Sequence, residues 1–420
     1  MVGLVFLVFF VISFITNILG SINPNVTDSY RLSGFMTGLL PFAFFIAYGL
    51  LSIPSGIMVE KYREKTCLAI GWALALAASL LFSAHPTYPT FVCSLFLIGS
   101  SFALLQVVIN PLLRVAGGEG NFAFYSTFAQ LIFGVASFLS PFVYTYLVTN
   151  LDKGNPAHDT VIGLFARVTP APLVSLSPDG KPTPVSMSWV AMYWLFGVSS
   201  LLMVLAIVAS RFPKVERKTD EVIGAWATHL ELFRNPVVIV FFFGIFAYVG
   251  TEQGISYWIS EFLRTYHGLN PEVEGAAAVG WFWGLMTVGC LIGMGLLKLF
   301  DSKVVLRAFV LAALAVLTMS LFGGKGAAVY GFEALGFFLS VMFPVTFSLA
   351  LNSIDKHHGT FSGILCAGIA GGAIVPLVIG LLKDLVGLRQ GMFAIYGTLS
   401  YLLFISFWAT PLISNRTIQH

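Results

Sequence analysis

The chain has 420 residues, 57% of them hydrophobic and only 10% charged, whereas soluble proteins carry roughly 25% charged residues. A soluble domain cannot hide that much apolar surface, and a formal net charge of +3 gives no ground for a nucleic-acid partner. The four cysteines (Cys67, Cys93, Cys290 and Cys366) all fall in apolar runs without metal-ligand or CxxC spacing and read as small core residues.

Long charge-free runs recur along the sequence. Backbone groups in hydrocarbon need internal partners, so such runs form helices or a closed barrel. These runs are too long and too continuously apolar for barrel strands. Twelve spans are predicted, at about 2–22, 35–59, 66–84, 89–113, 122–148, 188–210, 236–260, 275–298, 304–322, 327–351, 360–382 and 390–412. Residues 1–22 lack the basic segment and cleavage site of a signal peptide and read as the first span, with hardly any chain expected before it.

Polar residues inside spans are costly and tend to face a cavity or each other. In span 1, Ser13, Asn17 and Ser21 share a helical face. Gln106 and Asn110 do so in span 4, just before Pro111, and Ser126, Gln130 and Ser137 in span 5. The three amides serve equally well as interhelical bonds or as ligand contacts. In span 7, Tyr248, Glu252 and Ser256 share a face between Gly250 and Gly254. Trp281, Trp283 and Thr287 lie close in span 8; the tryptophans suit either packing or the apolar face of a sugar ring.

Glu252 carries the most information. Its predicted span holds no basic residue, and an unpaired carboxylate in hydrocarbon takes up a proton rather than remaining charged. A group that is neutral when buried and charged when wet suits a proton carrier; it also suits a sugar hydroxyl or a cation. Glu333, in span 10, fits an external vestibule as well as a buried site.

With both termini inside, 14 of the 22 basic residues fall on inner segments and 8 on outer ones, which predicts cytoplasmic termini. The proline-rich segment 149–187 is an outer loop, expected as an irregular cap or small hairpin. The basic segment 211–235 divides the chain into residues 1–210 and 236–420, six spans each. The halves echo one another: "IPSGIMVEKYREK" (Ile53–Lys65) aligns without gaps on "LIGMGLLKLFDSK" (Leu291–Lys303). An all-α integral membrane protein of two pseudo-symmetric six-helix bundles, the major facilitator architecture, is therefore expected.

Several stretches resemble the fucose–galactose–glucose:cation symporter family of that superfamily. "ALLQVVINPLL" (Ala103–Leu113) is similar to its span-4 signature, and "YVGTEQGISYW" (Tyr248–Trp258) to its span-7 motif. Ser340–Leu351 and Gly359–Asp384 resemble its spans 10 and 11. The resemblance covers most of the chain outside 149–187. It implies an alternating-access importer of a hexose such as glucose, galactose or fucose, with Na+ or H+ as coupling ion and no other cofactor. It implies a monomer in the lipid bilayer of the cell inner membrane, with Gln106, Asn110, Gln130 and Glu252 as cavity residues. Asn17, Trp281 and Trp283 complete the expected substrate site. Glu252 is the coupling residue, and a sodium ion, if used, is expected on neutral oxygens of Asn17, Ser13 or Gln106.

Gly56, Glu60, Lys61 and Lys65 occupy the superfamily's cytoplasmic gate motif, where acid and bases latch the halves. Glu60 stands for the usual Asp and Arg63 for the usual glycine. The fucose-permease branch has an acid in span 1 where this chain has Gly20, and its span-4 acid aligns with Gln106. Arg is replaced by Cys290, a span-10 Asn by Leu339 and a span-11 Gln by Ile379. Alternatives are a sugar uniporter, proton-driven efflux of a less polar molecule, or a non-transporting sugar sensor, though the sequence offers no soluble segment for a signalling domain. No nucleophile–base set, metal set or phosphate loop points to an enzyme.

Overall fold

A computed structural model describes residues 1–117, 122–152, 160–176, 182–210, 212, 232, 234–354 and 358–412. Among these, twelve helices are long and apolar enough to cross a membrane. They are Val2–Tyr30, Gly34–Ser52, Glu64–Ala84, Tyr88–Ile109, Phe128–Leu151, Ser188–Ala209, Pro236–His267, Pro271–Leu299, Ser302–Phe322, Lys325–Leu351, Phe361–Val386 and Leu388–Trp408, called spans 1 to 12 below.

Every predicted span is present, and two run well past their predicted ends. Span 1 continues to Tyr30 after a turn at Asn17–Ile18. Pro24 sits inside this second part; it has no N–H to donate back to Gly20 and so weakens the helix there. Span 7 continues to His267 because its last charges, Glu261 and Arg264, pair with each other at 2.7 Å. A charged pair extends a helix that apolarity alone would end.

The packing repeats with an offset of six. Span 4 packs on spans 2 and 3, span 3 on span 6, and span 1 on span 5; span 10 packs on spans 8 and 9, span 9 on span 12, and span 7 on span 11. Between the halves, span 2 meets span 11, span 5 meets span 8, and span 1 meets span 7. The sequence echo has a physical counterpart. Lys65 Nζ, at the start of span 3, donates to the carbonyls of Val208 (2.8 Å) and Ser210 (2.9 Å) at the end of span 6. Lys303 Nζ, its aligned partner at the start of span 9, donates to Ala409 O (2.8 Å) at the end of span 12. Each lysine meets carbonyls that a helix C-terminus leaves without intrahelical partners.

Segment 149–187, expected as an irregular cap or small hairpin, contains a small hairpin and a helix before it. A helix, Thr160–Val168, precedes an antiparallel hairpin of β1 (Leu173–Leu176) and β2 (Pro182–Val185), with Leu173 opposite Val185. Of the segment 211–235, all but Phe212, Leu232, Arg234 and Asn235 lies outside the described residues.

Among the described residues, polar contacts between the halves gather at one end of the seam. Tyr257 donates its hydroxyl to Thr37 O (2.7 Å) and accepts from Asn23 Nδ2 at its carbonyl (2.9 Å). Asn25 Nδ2 donates to Glu272 Oε1 (2.7 Å), and Thr145 Oγ1 to Glu272 O (2.5 Å). Arg264 pairs with Asp28. The Asp384 carboxylate accepts from the Gly34 and Phe35 N–H groups (2.5 and 2.8 Å) at the start of span 2. At the opposite end, the contacts of Lys65, Lys303 and Arg307 remain within their own halves.

Candidate functional site

Span 7 positions the central carboxylate. Asn235 caps the helix by accepting from the Val237 N–H, Pro236 fills the first position, and Gly268 ends it in the left-handed conformation at φ 64°. Helical spacing then stacks Tyr248, Glu252 and Ser256 on one face. The Tyr248 hydroxyl donates to Glu252 Oε2 at 2.6 Å, and Gln253 Nε2 donates to Oε1 at 2.8 Å. Half-buried Glu252 thus has both oxygens engaged by neutral groups. Such a carboxylate can gain or lose a proton without breaking an ion pair.

One turn further along span 7, a narrow pocket opens between the halves. Thr16, Asn17, Leu19 and Gly20 from span 1 and Pro41 and Phe45 from span 2 form one wall; Gln253, Ser256 and Tyr257 from span 7 and Trp283 from span 8 form the other. It has room for a water-sized group rather than a sugar ring. Tyr257 both lines this pocket and makes the contacts to Thr37 and Asn23 at the end of the seam, called the sealed end below.

Two polar atoms of the pocket residues, Asn17 Oδ1 and Trp283 Nε1, have no hydrogen-bond partner among the described residues. Both residues are 5% exposed, and a buried polar atom left unpaired costs about 1–3 kcal/mol. Asn17 is held in place by its other amide atom: Nδ2 donates to Ser137 Oγ at 2.7 Å. The Ser13 and Ser137 hydroxyls lie 2.6 Å apart and share the Phe133 carbonyl as acceptor, at 2.5 and 3.0 Å. Span 1 is therefore tied to span 5 directly beside the pocket.

The Major Facilitator Superfamily model matches residues 5–369. The chain belongs to the Major Facilitator Superfamily. This member is 29% identical over 390 residues to a protein called glucose/galactose transporter in Brucella abortus, covering 91% of this chain and 87% of the relative. It is 25% identical over 388 residues to the L-fucose-proton symporter of Escherichia coli strain K12, covering 90% and 86%. The resemblance read from the span motifs thus agrees with these relatives, which are transporters and not enzymes. Among solved structures, the transporter FucP in the outward conformation overlays with TM-score 0.65 at 21% identity, covering 97% of this chain and 98% of that one. An inward-facing bacterial homologue of the lysosomal transporter Spinster overlays with TM-score 0.73 at 15% identity, covering 97% and 96%. A D-xylose-proton symporter gives 0.73 at 12% identity, covering 99% of each chain.

The expected site residues separate into groups in the superfamily fold. Asn17 and Trp283 meet at the pocket, with Glu252 joined to it through Gln253. Trp281 parts from Trp283: it is 46% exposed, its ring edge-on to Phe138 of span 5. Two residues apart is about 200° around a helix, so only one of the two can face inward. Gln130 lies exposed on span 5 and Gln106 half-buried on span 4, neither lining the pocket. Ser13 joins Asn17 through Ser137, away from Gln106 in sequence and span. The backbones of Asn110, Gly56, Glu60 and Lys61 are helical, and the surroundings of these residues lie outside what the structure describes. Lys65, expected in the latch, donates to the end of span 6 within its own half. The sequence reading missed Thr16, Phe45, Gln253 and Tyr257. Gln253 stood beside Glu252 as a second polar residue in the same span; the others are ordinary helix residues until packing gathers them.

Proposed function

We propose that the protein is a secondary active transporter that imports a monosaccharide together with a cation, alternating between states open to either side of the bacterial inner membrane. The observation that carries this reading is Glu252, a half-buried carboxylate held among the described residues by the neutral groups of Tyr248 and Gln253, beside a pocket lined from both halves. The substrate class is supported by the glucose/galactose and L-fucose names of the relatives. The name of the fucose relative favours a proton as the coupling ion; sodium remains the alternative, on the oxygens of Ser13 and Asn17. The bias of basic residues puts both termini in the cytoplasm, and the protein works as a monomer. The sealed end is then the outer face. The contacts gathered there among the described residues support an inward-facing state.

In this mechanism the sugar binds between the halves near Glu252, and a proton on the carboxyl accompanies it. Coupling requires that sugar and ion bind the two facing states unequally. The test is counterflow and gradient-driven uptake of labelled D-glucose, D-galactose and L-fucose in proteoliposomes, with imposed pH or sodium gradients. Accumulation should follow one gradient and vanish in Glu252→Gln while exchange persists. Gradient-independent exchange in both proteins would make this a uniporter, and no hexose flux would favour efflux of another molecule.

A further inference from the structure

We infer that Asn17 Oδ1 and Trp283 Nε1 form a socket for a single sugar hydroxyl, one partner contributed by each half of the molecule. This rests on the sugar-transport reading above. The argument starts from chemistry. The two orphaned atoms are an acceptor and a donor. A hydroxyl both gives and takes a hydrogen bond, so one hydroxyl satisfies both. A cation would face the indole N–H, an anion would face the amide oxygen, and a methyl group would leave both atoms unpaired. Water has the same chemistry as a hydroxyl and is the group that a sugar would displace.

Size and rigidity agree with this. The pocket accepts a water-sized group, so it takes a hydroxyl while the ring stays outside. The orientation of Asn17 follows from its neighbours. The Ser137 hydroxyl donates to Phe133 O, so its oxygen is left to accept from Asn17 Nδ2. The amide oxygen is thereby the free end. Trp283 is buried, set edge-on to Phe282 with ring centroids 5.2 Å apart. Gln253 borders the socket while its Nε2 holds Glu252, which places the hydroxyl contact and the titratable carboxyl side by side.

The socket also has a consequence for coupling. Asn17 belongs to span 1 and Trp283 to span 8, on opposite sides of the seam. A hydroxyl bridging them binds best when the sealed end is closed, which gives the sugar unequal affinity for the two states.

The test uses the intact protein in proteoliposomes, measuring half-saturation for whichever of D-glucose, D-galactose and L-fucose is carried, and for each of its monodeoxy analogues. Trp283→Phe keeps a ring and removes the donor; Asn17→Ala removes the acceptor, with Asn17→Ser as a second variant should the first fail to fold. Each variant should raise half-saturation for the parent sugar about tenfold. Both should leave one and the same deoxy analogue unaffected, because the wild-type socket already rejects a sugar that lacks that hydroxyl. Insensitivity to two different analogues, or an equal loss for every analogue, overturns the socket while leaving sugar transport intact. Wild-type protein that carries none of the hexoses overturns the sugar reading and the socket with it.

Discussion

Glu261 has a side chain only 4% exposed, yet it faces two cations: Lys383 Nζ at 2.7 Å from Oε1 and Arg264 Nη2 at 2.7 Å from Oε2. Removing one partner of a buried pair leaves charge uncompensated, and the second cation offsets only part of the loss. Lys383→Met should therefore lower stability by about 2 kcal/mol, measured as thermal unfolding of purified protein in detergent. Adding Glu261→Met to the same chain should recover most of that loss, since a packed apolar pair replaces a buried ionic one with little penalty. If the double variant is no more stable than the single one, the pair is not what holds this corner. Glu261 and Arg264 also show why span 7 looked shorter in sequence. Hydropathy charges each ionised residue its full cost, whereas partners on spans 11 and 1 remove much of it. The tryptophans of span 8 teach a related lesson: both signal the same chemistry in sequence, but helical geometry admits only Trp283 to the pocket.

Spans 2 and 11 meet through glycine. A Cβ on Gly380 would sit 2.2 Å from Gly34 O, and one on Gly34 would sit 2.3 Å from Gly380 O. Neither backbone can give way without parting the helices. Beside this contact, Asp384 caps the start of span 2 across the seam, where a carboxylate meets free N–H groups and the positive end of the helix dipole. Gly380→Ala should open the sealed end, seen as increased labelling from outside of a single cysteine placed at Thr37. Asp384→Asn should do the same more weakly, by losing charge while keeping one acceptor. Unchanged labelling in both would show that other contacts hold this end. Gly20 belongs to the same logic. A Cβ there would lie 2.2 Å from Ser256 O of span 7. The position that carries an acid in the resembling branch has no room for one in this closed seam, so Gly20→Asp should disturb closure rather than restore a second proton carrier.

At the scale of the whole molecule, the ties that cross the seam among the described residues are concentrated at one end: Tyr257 with Thr37 and Asn23, Asn25 with Glu272, and Arg264 with Asp28. A transporter that alternates must break these to open outward. Cysteines at positions 25 and 272, joined by a short reducible linker in a chain without Cys93 and Cys290, should stop uptake, and reduction should restore it. Continued uptake in the joined protein would mean that this end does not part during transport.

The sequence by itself determined that this is a twelve-span helical membrane protein, because a bilayer forces long apolar runs into helices whatever their neighbours. It also carried the repeat, since Lys65 and Lys303 align in sequence and each closes the last helix of its half. It singled out Glu252, because a carboxylate in an apolar run is conspicuous without a structure. Only the tertiary structure decided which of the polar candidates meet. Asn17 and Trp283 lie far apart along the chain, and they come to line one pocket only where spans 1 and 8 converge. Tyr257, Phe45 and Thr16 acquire a role solely by lining that space. Single helices record their own faces in the sequence; the contact between two halves is set by packing across a seam, and no local pattern records it.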